Sequence, residues 1–244
     1  MWRLVGHGEG HLMILPAAPR ATTGRPLVKL CGIMSPEHAL VAADAGADMI
    51  GLVFAESRRR VDLQTADAIS QAVYGHVSRP LLVGVFVNES PANVLKTARV
   101  VGLDIVQLSG DETPEEAEAC AAHFPVIKAF RFDRSVSLDR ARERMEPYMR
   151  SSADMRPLVD AYHPTEYGGT GEIADWELAA LLSAETGLML AGGLQAGNVG
   201  LAIKSVRPWA IDVSSGIERD GVKDAALMRE FVGAARHATI ESEA

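Results

Sequence analysis

A chain of 244 residues with 48% apolar residues can bury a sizeable core, and its length permits one large domain or two small ones. Lys and Arg number 24 against 32 Asp and Glu, a formal net charge of −8, which argues against binding nucleic acid or an anionic membrane through the surface at large. No uncharged apolar run reaches the roughly 18 residues of a membrane span, the two cysteines (Cys31 and Cys120) make no disulfide framework, and no cluster has metal-ligand spacing; a cytoplasmic protein with free thiols is expected.

In chain order, residues 1–26 carry Gly6, Gly8, Gly10 and Gly24 with Pro16, Pro19 and Pro26 and keep no helical or strand period, so they read as a disordered or atypical extension. Glycines and His7, Glu9 and His11 interrupt any signal-like apolar core, and the two histidines read as solvated rather than as metal ligands. From Leu27 short apolar runs alternate with longer segments of helical spacing. The runs are Leu27 to Leu30, Met49 to Phe54, Leu81 to Val87, Ile105 to Leu108, Val126 to Phe130, Pro157 to Asp160, Leu188 to Ala191 and Ala210 to Val213. Between and after them, Pro36 to Ala45, Asp62 to Tyr74, Pro91 to Val101, Pro114 to His123, Leu138 to Met149, Asp175 to Leu182, Ala196 to Ser205 and Asp224 to His237 read as helices. Ser35-Pro36, Ser90-Pro91 and Thr113-Pro114 mark helix starts, a capping hydroxyl before a proline that needs no N–H partner.

Eight strand–helix repeats predict a parallel sheet closed as a single-domain (β/α)8 TIM barrel over 27–238, with 239–244 as a tail. A dinucleotide fold would need a Gly-x-Gly-x-x-Gly turn early in the chain, and none follows the first strand. In such a barrel, residues at the C-terminal strand ends face the catalytic mouth. The first strand leads to Cys31-Gly32, where a cysteine reads equally as packing or as chemistry. Cys120, among alanines in a helix, reads as packing. The second strand leads to Arg58-Arg59-Arg60, either a solvated loop or a guanidinium for a substrate carboxylate. Asp160 closes the sixth strand; a capping or salt-bridging acid is the plainer alternative to a carboxyl whose raised pKa suits general-acid work. Arg140, Arg142 and Arg144, mixed with acids, look like an exposed helix face.

The last two strands end in Gly192-Gly193 and Ser214-Ser215-Gly216. Small residues leave backbone N–H groups uncovered, and a short helix starting there would add its positive end. Either loop alone reads equally as an ordinary turn; the pair, one repeat apart, favours a phosphate cradle. The connection from Ala161 to Ala174, with Tyr167-Gly168-Gly169-Thr170-Gly171, is the longest and most glycine-rich, as active-site lids are.

Taken together, Val28-Lys29-Leu30-Cys31-Gly32-Ile33, Gly84-Val85-Phe86-Val87-Asn88, Val106-Gln107-Leu108, Tyr167-Gly168-Gly169-Thr170-Gly171 with Asp175-Trp176, Ala191-Gly192-Gly193-Leu194 and Asp212-Val213-Ser214-Ser215-Gly216-Ile217-Glu218 resemble the phosphoribosylanthranilate isomerases of tryptophan biosynthesis, from about Leu27 to about Arg236. The resemblance implies an Amadori rearrangement that needs no cofactor, on a small phosphoribosyl substrate, by a monomer or alternatively a homodimer. It carries the general base to Cys31, the general acid to Asp160 and the substrate-carboxylate contact to Arg59, with Arg58 as the alternative. Ser109 departs from the family's usual histidine. The related histidine-pathway isomerase would place an aspartate where Cys31 stands. Indole-glycerol-phosphate synthase would need lysines at strand ends, whereas Lys29 lies inside its strand and Lys128 two residues short of its end. A paralogue that acts on, or only binds, another phosphosugar is the remaining alternative.

Overall fold

The computed structural model describes residues 25–133, 135–151, 155–161 and 175–238. The expectations for the extension up to residue 24, for the tail and for the loop bearing Gly168, Gly169, Thr170 and Gly171 lie outside the described residues. The strands are β1 (Leu27–Cys31), β2 (Met49–Val53), β3 (Leu81–Phe86), β4 (Ile105–Leu108), β5 (Val126–Arg131), β6 (Met155–Asp160), β7 (Met189–Leu190) and β8 (Ala210–Val213). All pair in parallel with their sequence neighbours, and β8 pairs back to β1 with Lys29 beside Asp212, closing the barrel.

The helices are α1 (Pro36–Asp44), α2 (Leu63–Tyr74), α3 (Pro91–Val101), α4 (Pro114–Ala121), α5 (Leu138–Ser151), α6 (Trp176–Thr186), α7 (Ala196–Val206) and α8 (Ala225–His237). Their starts follow from side-chain caps: Ser35, Ser90 and Thr113 each accept an N–H three residues on, and Thr113 with Glu116 completes a reciprocal capping box. Asp62, Asp175 and Asp224 cap α2, α6 and α8 in the same way.

Strand alternation sorts the apolar residues into two cores. Met49, Val83, Ile105, Ile127, Ala129, Leu158, Met189 and Ala210 fill the barrel interior. Val28, Leu30, Ile50, Leu52, Val106, Val159 and Ile211 point outward under the helices, with Cys120 of α4 among them as expected from its alanine-rich setting. Two short strands absent from the sequence reading, β9 (Glu218–Arg219) and β10 (Val222–Lys223), form an antiparallel hairpin after β8. Asp220 and Gly221 turn it with positive φ of 52° and 80°, the conformation that Asp-Gly adopts in tight hairpins.

Candidate active site

Lys29 and Cys31 are two apart on β1, so both side chains face the barrel interior. Cys31 is 7% exposed at the mouth. Burial pushes its thiol pKa up, the Lys29 ammonium opposes this and Asp212 adds to it, and the pKa ends raised. Lys29 is wholly buried and donates a 2.9 Å hydrogen bond to Asp212 Oδ1 across the β1–β8 seam. Burial disfavours this ammonium, yet Asp212 and then Cys31 outweigh it, so the pKa ends raised and the lysine stays charged.

Asp160 ends β6, on the other side of the mouth from β1. Burial raises its pKa to about 6, against the opposing effect of the Ala161 N–H, which donates to Oδ1 at 2.8 Å. The carboxylate of Asp212 also raises it, while Arg131 and Lys29 lower it. The thiol and this carboxyl therefore sense the same Lys29–Asp212 pair.

The three arginines after β2 separate by exposure. The Arg58 side chain is 57% exposed, whereas that of Arg59 is 8% exposed and folds over Gly32. A Cβ on Gly32 would stand 2.6 Å from Arg59 Cδ, and the residue's φ is +76°, so glycine there serves both the backbone and the close approach. Arg59 donates from Nε to Glu218 Oε1 at 2.6 Å and from Nη2 to Oε2 at 2.9 Å. Lys223 of β10 donates to the same Oε1 at 2.7 Å and to the Ser214 carbonyl at 2.8 Å. Burial alone would raise the Glu218 pKa, but hydrogen bonds from Arg59 and Lys223 carry it down to about 2.

The two small-residue loops meet at the mouth. Gly192 and Gly193 have φ of +91° and +61°. A Cβ on Gly192 would collide with Ala161 N at 2.6 Å, and one on Gly216 with the Leu194 carbonyl oxygen at 1.9 Å, so each loop runs against backbone that only glycine admits. The helix start expected at Ala196 is observed, whereas the turn after Ser214 is shorter than a full helix. Ser215–Ile217 is a single 3-10 turn, and α7 begins three residues beyond Gly193 because Gln195 takes the cap position. Ser214 Oγ donates to the Cys31 carbonyl at 3.2 Å, tying the β8 end to β1.

Sequence reasoning passed over Lys29, Asp212, Glu218 and Lys223 as participants. Lys29 and Asp212 sit inside apolar runs whose alternation, period 2, would have placed both on the inner face. Ser109, at the departure from the usual histidine, is buried, and Gln107 Nε2 donates to its Oγ at 3.0 Å. Lys128 points out of the barrel and pairs with Glu112 at 2.9 Å and the Gly110 carbonyl at 2.8 Å, which removes it from the mouth. Among the described residues no group of His, Cys, Asp and Glu could hold a metal ion, and no helix is long and apolar enough to cross a membrane.

A carboxyl whose pKa is raised to about 6 and a buried thiol, both at strand ends at the mouth of a (β/α)8 barrel, fit a class: barrel enzymes that move protons on a small substrate. The comparisons with known proteins narrow that class. The chain belongs to the phosphoribosylanthranilate isomerase family, whose model, N-(5'phosphoribosyl)anthranilate (PRA) isomerase, matches residues 28–234. It is 50% identical over 215 residues to the N-(5'-phosphoribosyl)anthranilate isomerase of Roseiflexus sp. (strain RS-1), covering 86% of this chain and 98% of that one. Among solved structures, phosphoribosyl anthranilate isomerase from Thermotoga maritima superposes with a TM-score of 0.74 at 36% identity, covering 86% of this chain and 98% of that one. A second, a phosphoribosyl anthranilate isomerase in complex with reduced 1-(o-carboxyphenylamino)-1-deoxyribulose 5-phosphate, gives 0.72 at 34% identity with the same coverage.

Proposed function

We propose that the barrel mouth converts N-(5-phosphoribosyl)anthranilate to 1-(2-carboxyphenylamino)-1-deoxyribulose 5-phosphate, with Asp160 as general acid and Cys31 as general base. The activity is that of the family, an aldose–ketose isomerisation in tryptophan biosynthesis. The assignment of roles rests on one observation above the others: the carboxyl at the end of β6 keeps its proton to about pH 6, while the thiol at the end of β1 lies beside a fixed ammonium. Asp160 protonates the ribose ring oxygen, the C1–O bond breaks, and the nitrogen lone pair forms the C1 iminium. The Cys31 thiolate then removes the C2 proton, and the enolamine tautomerises to the aminoketone.

The ligand in the related complex carries a carboxylate at one end and a phosphate at the other. In this chain the Arg59 guanidinium, with Nη1 turned away from Glu218, suits the first. Gly192, Gly193, Ser214, Ser215 and Gly216 suit the second through backbone N–H groups at two glycine-opened turns.

The experiment is steady-state turnover, followed by loss of substrate fluorescence, with complementation of a tryptophan auxotroph lacking the isomerase. Cys31→Ser keeps the side chain's size but supplies a hydroxyl far too weakly acidic to replace a thiolate, so kcat falls by at least about 100-fold. A folded Cys31→Ser protein turning over at near wild-type rate sinks the thiolate base. Failure of the wild-type gene to complement sinks the activity itself.

A further inference from the structure

A lysine with no exposed surface is costly to bury, and the chemistry just described does not use Lys29 directly. Its position is nonetheless specific. Gly51 on β2 lies opposite Cys31, and a carbon attached to its Cα would stand 2.6 Å from Cys31 Sγ and 3.1 Å from Lys29 Nζ. Ammonium and thiol thus border one point that the missing side chain of Gly51 leaves open to both. The 2.9 Å bond to Asp212 Oδ1 holds the ammonium there.

We infer that Lys29 is the positioning residue of the base: its ammonium, oriented by Asp212, stabilises the Cys31 thiolate and sets how much of it exists to remove the C2 proton. This rests on the reading of Cys31 as base. In the step itself the C2–H bond breaks and an S–H bond forms. The C–H electron pair becomes the C1–C2 double bond, and the iminium π pair returns to nitrogen. Lys29 keeps its protons throughout. The other charged groups around the thiol are Asp212 on β8, which opposes its ionisation, Lys223 on β10, which favours it, Asp160 across the mouth and Arg59 over Gly32. Lys223 is already bound to Glu218 and the Ser214 carbonyl, and Arg59 to Glu218. Lys29 is the cation that Cys31 meets on its own strand.

The test reads ionisation without turnover. In a Cys120→Ala background Cys31 is the sole thiol of the chain. The rate of its alkylation by iodoacetamide, measured from about pH 6 to about pH 10 on the free protein, follows the thiolate fraction. Lys29→Met, which keeps the length and removes the charge, is expected to move the midpoint up by at least about one pH unit, slowing alkylation near neutral pH at least about tenfold. Lys29→Arg should restore part of the shift. Asp212→Asn is expected to move the midpoint down, so the two halves of one ion pair act in opposite directions, which a merely structural pair would not do. A Lys29→Met midpoint that stays in place or falls overturns the proposal. If that variant does not fold, Lys29→Gln is read in its place, and a midpoint that stays put or falls overturns the proposal in the same way. Because alkylation needs no catalysis, an active Cys31→Ser protein would refute the base while leaving the Lys29–Cys31 coupling separately measured.

Discussion

Arg59 and Glu218, 159 residues apart, share two hydrogen bonds of 2.6 and 2.9 Å, and the carboxylate enters from a hairpin that lies outside the closed barrel sheet. The pair fixes the guanidinium over Gly32 with one edge engaged. A substrate carboxylate then meets a cation already aimed, with less side-chain entropy left to lose. Arg59→Ala is expected to raise KM by roughly 10- to 100-fold through loss of a charge-assisted contact of about 1.5 to 3 kcal/mol, with kcat changed less. Arg58→Ala, whose side chain is largely in solvent, should leave KM within a few-fold. Steady-state kinetics on both variants decide it, and a KM that follows Arg58 instead moves the carboxylate contact one residue back.

The same pair gives the fold an acid-sensitive fastening. Glu218 has its pKa lowered from the ordinary 4.5 to about 2, so the folded state favours the carboxylate more than the unfolded chain does. Its contribution is fully present above about pH 4.5 and is lost as pH falls toward about 2. Glu218→Gln should therefore melt below wild type at neutral pH, with the gap closing through that window. Thermal melts at stepped pH check this; a gap independent of pH would mean that the hairpin, rather than the charge, carries the stability.

Asp160 has the opposite sign. Its pKa is raised from 3.8 to about 6, so the folded state binds this proton more tightly than the unfolded one, and the stability it contributes is complete below about pH 3.8 and lost as pH rises through about 6. Above that, a desolvated carboxylate strains the fold. Asp160→Asn is expected to raise the melting temperature near pH 8 but not near pH 4, while reducing kcat at least about 100-fold by removing the transferable proton. Calorimetry paired with turnover checks both halves. Loss of activity with no pH-dependent gain in stability would show that this carboxyl is not held at a cost.

The barrel was legible in the sequence because short, mostly apolar runs alternate with longer segments of helical spacing, and several helices begin with a side-chain cap that the residues themselves announce. The strand ends then placed Cys31 and Asp160 at one mouth. The hairpin was missed because Glu218–Arg219 and Val222–Lys223 are too short to show a period, although Asp220-Gly221 is a turn signal in its own right. Lys29 and Asp212 sit inside largely apolar runs and drew no role in the site from the sequence. Their meaning is relational: it comes from the β1–β8 closure, which brings residues 183 apart to 2.9 Å, and no local pattern states which strands close a barrel.

Gly51 gives the most direct test of how closely the base is held. It has no unusual backbone requirement, so Gly51→Ala should fold, and its new methyl would start 2.6 Å from Cys31 Sγ and 3.1 Å from the Cys31 Cα. Sulfur is at the end of a side chain with one torsion, so it must swing away rather than flex, while the longer Lys29 can yield by small adjustments. A displacement of about 1 Å at a reacting group costs on the order of 100-fold in rate, so kcat should fall by at least about tenfold. KM should hold, since Arg59 and the Gly192 and Ser214 loops are untouched. Lys29 and Cys31 are also pushed apart, so Cys31 alkylation in the free protein should shift to higher pH together with the kcat loss. Steady-state kinetics and the alkylation profile on the one variant measure both; a fall in kcat with an unmoved thiol midpoint would separate the geometry of the base from its ionisation and leave Lys29 without influence at that distance.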